Sequence, residues 1–176
     1  LLQVKLGGYY RGGCWCFISQ EEKRVLSQFA HFTITIDSKG VELVVNMESD
    51  KSVDKFVRNS EERPQNLLDI LHNLDHEREY QLRIWERIPP PGRERVPHYM
   101  YLWRDIFSFS TKYIDKKTVN LLIETLKDFR AMKKHSVVRL VCQSYTRSDA
   151  KLHSKELTFE IVDKVREMHD FYNFVH

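Results

Sequence analysis

The chain has 176 residues, with 28 Lys/Arg against 25 Asp/Glu, and 41% of its side chains are hydrophobic, among them 10 Phe, 8 Tyr and 3 Trp. That apolar supply excludes a disordered chain, and the length fits one compact domain. Its longest uninterrupted apolar run, Cys14-Trp15-Cys16-Phe17-Ile18, is far short of the roughly 20 residues a membrane-spanning helix requires. No membrane partner is therefore expected.

Leu2, Val4 and Leu6 alternate with polar residues from the outset, and the chain starts at Leu1 rather than Met, so the expectation is a trimmed or internal fragment. Gly7-Gly8 and Gly12-Gly13 bracket Tyr9-Tyr10-Arg11 and read as a hairpin or a bent strand. Ser19 is placed to cap a short helix over residues 20–29, with Glu22 at the capping-box position. Phe32, Ile34 and Ile36, then Val41, Leu43 and Val45, alternate on either side of Asp37-Ser38-Lys39-Gly40, which predicts a hairpin. Residues 51–74 read as two helices rather than one, because Pro64 is tolerated at a helix start and disruptive in its middle.

Tyr80, Leu82, Ile84 and Ile88 predict a strand that stops at the Pro-rich segment 89–97. Residues 99–110 are aromatic and β-prone. Asp115 caps a predicted helix running to about Lys133, whose Val119, Leu122, Ile123, Leu126, Phe129 and Met132 fall on one buried stripe. Val138, Leu140 and Cys142 predict another strand. A single closing helix follows, with Ile161, Val165, Met168, Tyr172 and Val175 on one side.

These elements predict an α+β fold with a mixed, mostly antiparallel sheet and helices packed mainly on one face. The first half follows the split βαβ (ferredoxin-like) order. The expected unit is a single domain over residues 1–176, with sub-halves 1–88 and 98–176 joined by the loop 89–97. The other sheet face is expected to be at least partly open, displaying His31, Thr33 and Thr35, then Glu42, Asn46 and Glu48, then Arg83, Trp85 and Arg87.

Charge is uneven. Residues 89–155 carry 14 Lys/Arg against 6 Asp/Glu, and Lys133, Lys134 and Arg139 lie near the end of the long predicted helix. Cations at a helix C-terminus need no function to explain them, but the excess here is larger than capping requires. With Tyr99, Tyr101, Trp103 and Tyr145 close in sequence, the zone has the make-up of a surface that tracks phosphates and stacks on bases.

His31-Phe32-Thr33-Ile34 puts an imidazole and a hydroxyl on one side of a strand, as each half of a two-histidine phosphoesterase site does, yet no second His-x-Ser/Thr is present. Cys14, Cys16 and Cys142 are sparse and odd in number, which argues against a disulfide framework and for a reducing, cytoplasmic setting. They lack a histidine at ligand spacing, so no metal site is assigned. Neither a P-loop nor G-x-G-x-x-G occurs, and no motif demands a cofactor.

The expected role is binding rather than catalysis. The first partner is a protein, or another part of the parent chain, recognised through the open sheet face with Arg83, Trp85 and Arg87 as anchors, since Trp and Arg dominate interface hot spots. The second is nucleic acid or another phosphate-bearing ligand held by the 89–155 zone, with Lys133, Lys134 and Arg139. The third reading is a phosphoesterase centred on His31 and Thr33.

Overall fold

The alternating segments become seven strands in the computed structural model, which describes residues 3–10, 13–19, 28–74, 80–92, 102–132 and 136–176. In chain order the elements are β1 (Gln3–Tyr10), β2 (Gly13–Ser19), β3 (His31–Asp37), β4 (Gly40–Met47), α1 (Asp50–Glu62), α2 (Pro64–His72), β5 (Gln81–Ile88), β6 (Leu102–Ser110), α3 (Lys116–Ala131), β7 (Ser136–Thr146), α4 (Glu156–Glu167) and α5 (His169–Val175). The strands form one sheet in the order β1-β2-β3-β4-β7-β5-β6. The fold is α+β, and both halves of the sequence build the sheet, because β7 sits between β4 and β5. Among the described residues no helix is long and apolar enough to cross a membrane.

Every described strand pair is antiparallel, which corrects the expected mixed sheet. The first four strands run as a meander, so the parallel neighbours that a split βαβ unit requires are not found among them. Most of the predicted helix over 20–29, and residues 93–97 of the Pro-rich loop, lie outside the described residues.

Local chemistry sets the element ends. Asp37 Oδ1 accepts the Lys39 N–H at 2.7 Å and closes the β3–β4 turn. Gly40 then adopts φ +145°, where a Cβ would lie 1.7 Å from the Tyr145 carbonyl oxygen, so only glycine fits. Ser49 and Ser52 exchange side-chain and backbone hydrogen bonds to start α1. Arg63 interrupts the helical backbone and Pro64 opens α2, which gives the two helices predicted there. Asp115 caps α3 by accepting the Thr118 N–H at 2.7 Å.

Ile18, Phe32, Val45, Leu140 and Leu82 are in register across β2, β3, β4, β7 and β5, and all are buried. They form the sheet side of one apolar cluster whose helix side includes Phe56 of α1, Leu67 and Leu71 of α2, Leu122 and Leu126 of α3, and Phe171 of α5; Ile161 and Val165 of α4 pack at its edge. Each such side chain contributes about 1.5–3 kcal/mol of apolar burial, so this layer dominates the fold's stability. Among the described residues, all five α-helices therefore lie on one face.

Three boundaries differ from expectation. The closing segment is two helices, broken at Met168. Met132 is exposed rather than buried, because α3 ends at Ala131 and Met132 caps it. β7 runs four residues past Cys142, since a bulge there moves Val141 and Tyr145 to opposite faces and hides the continuing strand from a period-two reading.

Candidate functional site

On the face opposite the helices, His31, Asn46, Arg139 and Arg83 align across β3, β4, β7 and β5. The next row holds Phe17, Thr33, Val44, Val141 and Gln81, and the one beyond it Trp15, Thr35, Glu42 and Ser144. Thr33, Asn46 and Arg83 thus share one face, as the alternation predicts.

That face is open only in part: Thr35, Glu42, Glu48, Arg83, Trp85 and Arg87 are half-buried, and other polar residues expected on it are fully buried. His31 and Asn46 are each 2% exposed and Thr33 is 6% exposed. Phe17, Val44, Val137 and Val141 are buried on the same face among the polar side chains. Gly7 adds to this apolar group, for the Trp15 indole fills the space a β-carbon would take, 2.2 Å from its Cε3. His31 Nδ1 donates to the Phe29 carbonyl at 3.1 Å, and Thr33 Oγ1 is buried without a hydrogen bond. Imidazole and hydroxyl lie on one side of β3 as predicted, but both are sunk in the protein rather than presented to a phosphate.

Arg139 is the centre of the site. Its side chain is only 12% exposed, its Nη1 lies 3.5 Å from Glu42 Oε2, and its guanidinium carbon sits 4.7 Å from the centroid of the Trp85 ring. Burial lowers its pKa below the usual guanidinium value; Glu42 and Glu48 pull it back up, while Arg83, directly across the ladder, pushes it down again. It stays a cation nonetheless. Like charges facing each other across strands are unfavourable, and Arg83 is diverted sideways, donating through Nε to Gln81 Oε1 at 2.9 Å.

Trp85 pairs with Val137, seven residues from Ser144 along β7, roughly 20 Å in a flat ladder. Yet Trp85, Thr35, Glu42 and Ser144, with Asp37 and Lys39 of the turn, line one cleft of about 390 Å³. The long side chains of Trp85 and Arg139 reach along the face toward Glu42, so the Arg139–Trp85 stack borders this cleft.

The other expected site residues fall apart from one another. Arg87 is half-buried further along β5. Lys133 and Lys134 lie outside the described residues. Several cations of the 89–155 zone tie elements together instead of forming a patch: Arg130 of α3 bridges Asp50 and Asp54 of α1 at 2.7 and 2.6 Å, Lys127 meets Glu61 at 2.6 Å, and Lys151 meets Glu160 at 2.5 Å. Tyr145, counted with the aromatics of that zone, is buried on the helix face and donates to Glu160 Oε2. Cys14 and Cys16 carry free thiols, and among the described residues no group of three or more His, Cys, Asp or Glu is arranged to hold a metal ion.

Comparison with models of known families and with curated proteins finds no match for this chain. Sequence reasoning placed Trp85 and Arg139 among the binding residues but in different sites. It placed Glu42 on the same face and did not single out Ser144. The neighbouring of β4 and β7, which brings Glu42 to Arg139, has no local signature.

Proposed function

We propose that this chain is a non-catalytic binding module that recognises a protein partner through this cleft on its sheet face, with Trp85 as the anchor. The observation that carries this reading is the half-buried Trp85 indole, which stacks on a fixed guanidinium and lines a cleft with Thr35, Glu42 and Ser144. An aromatic ring held rigid at a cleft wall loses little entropy on binding, which is why Trp is enriched among interface hot spots. Arg83 and Arg87 flank it on β5 as polar neighbours. The cleft sets the acids Asp37 and Glu42 beside the cations Lys39 and Arg139, a mixed-charge lining that suits a protein surface better than a polyanion.

A displayed peptide library panned against the folded chain tests this reading. Enriched peptides should lose binding to Thr35→Lys, which fills the cleft, and weaken against Trp85→Phe. Peptides that bind both variants as well as the native chain, or a selection that enriches nothing, contradict it.

A further inference from the structure

We infer that the 3-10 turn Ala150–His153 and α4 form a flap that opens as one unit over the end of the sheet, while the sheet and the other helices stay folded. Burial stops along this stretch. From Thr146 to Asp163 no residue is buried, whereas Tyr145 before them and Lys164 after them are each 1% exposed. The two ends of the excursion meet, for Lys164 Nζ lies 5.4 Å from the centroid of the Tyr145 ring. A segment that leaves and re-enters the interior at one place can swing out without parting the elements on either side of its base.

The helices differ in what anchors them. Each of the other four described α-helices buries three or more apolar side chains, among them Phe56 of α1, Leu67 of α2, Leu122 of α3 and Phe171 of α5. The single buried residue of α4 is a lysine. Ile161 and Val165 reach the main cluster only in part, and Phe159 and Val162 face solvent at 70% and 42% exposure. Elements with so few buried apolar side chains sit at the low end of the range of local opening free energies.

Glu160 is the latch. Its Oε2 accepts the Tyr145 hydroxyl at 2.7 Å, which fastens α4 to β7, and its Oε1 accepts Lys151 Nζ at 2.5 Å, which fastens α4 to the turn before it. The second contact makes turn and helix one body; the first holds that body to the sheet. Both are charge-assisted hydrogen bonds, the stronger kind. Opening widens a groove of about 540 Å³ that Leu152 and Leu157 of the flap line together with Ile36 and Val41 of the β3–β4 hairpin.

Native-state amide hydrogen exchange tests the flap, followed by NMR on the ¹⁵N-labelled full chain through a series of low urea concentrations. The amides of Glu160, Ile161, Val162 and Asp163 should be protected on the order of a hundredfold less than those of Leu122, Ile123 and Leu126. Their dependence on urea should also be much weaker, since local opening uncovers little surface. Tyr145→Phe, which keeps the ring beside Lys164, and Glu160→Gln should each lower protection in α4 by on the order of tenfold relative to α3. Exchange of α4 in step with α3, at the same urea dependence, overturns the flap. Variants that lower α3 and α4 alike, or that leave both unchanged, overturn Glu160 as its latch.

Discussion

Leu82 and Arg83 are neighbours on β5 and look into two different interiors. Leu82 joins an apolar layer in which the helices cover the sheet, whereas Arg83 belongs to the opposite face, where His31, Asn46, Thr33 and Arg139 are interleaved with Phe17, Val44 and Val141. Both faces exclude water at their centres. The helix face does so with side chains that have no polar needs, and the other does so while leaving some needs unmet: among the described residues Thr33 Oγ1, Asn46 Oδ1 and Arg139 Nε are buried without a hydrogen-bond partner. Stability therefore resides mainly on the helix face. This second face carries groups that a fold maximised for stability alone would replace.

The largest effect that sharpens this contrast comes from adjacent residues of β7. Leu140→Ala on the helix face should cost about 2–5 kcal/mol of unfolding free energy, since Leu140 is wholly buried in the main cluster. Arg139→Met on the opposite face should cost less than about 1 kcal/mol, because an apolar side chain removes the desolvation burden and the partly exposed Glu42 can rehydrate. Urea denaturation of both variants measures the pair; an equal loss would mean that the two faces contribute alike.

Gly40→Ala should follow in size, destabilising by more than about 1 kcal/mol, because it strains a positive-φ turn and drives a methyl into the Tyr145 carbonyl. Since that turn also forms one side of the cleft, peptide binding should fall with it. Smaller still, Thr33→Val should be neutral or stabilising by up to about 1 kcal/mol, as it replaces an unpartnered buried hydroxyl with a methyl of the same shape. A clear loss of stability in thermal melts of Thr33→Val would show that the hydroxyl is satisfied.

The smallest effect is the dependence on pH, and it belongs to the helix layer. Hydrogen bonds from the Thr118 side chain and backbone hold the Asp115 carboxyl below its ordinary value, and those from Lys151 and Tyr145 do the same for Glu160. A carboxyl with a lowered folded pKa stabilises fully above its unfolded value and loses that contribution as the pH falls toward the folded one. Asp115→Asn and Glu160→Gln should therefore melt below the native chain at neutral pH, and the gap should close in acid. A gap that widens in acid would contradict the sign.

Legibility in the sequence followed the range of the interactions. The β3–β4 hairpin, the α1–α2 break at Pro64 and the apolar face of α3 are set within a few residues of their own chain, by Asp37 and Gly40, by Pro64, and by the spacing of Val119, Leu122 and Leu126. The full length of β7 was hidden because the bulge at Cys142 reverses the alternation. The burial of the second face had a cue in Val44 and Phe17, two apolar residues on its side of the strands, but their meaning depended on β7 bringing Val137 and Val141 between them and β5. Trp85 was read as a surface anchor between Arg83 and Arg87. Arg139, from the strand alongside, stacks on it, and only the strand order reveals that pairing.

The most direct test compares the cleft with the helix layer's own exposed apolar side chains, Leu121 of α3 and Phe159 and Val162 of α4. A peptide from the display selection, added to the ¹⁵N-labelled chain, should shift the amides of Thr35, Glu42, Ser144 and the Trp85 indole and leave the amides of α3 and α4 in place. Shifts that gather at Leu121, Phe159 and Val162 while the Trp85 indole stays still would put the binding surface on the other side of the molecule and contradict the account.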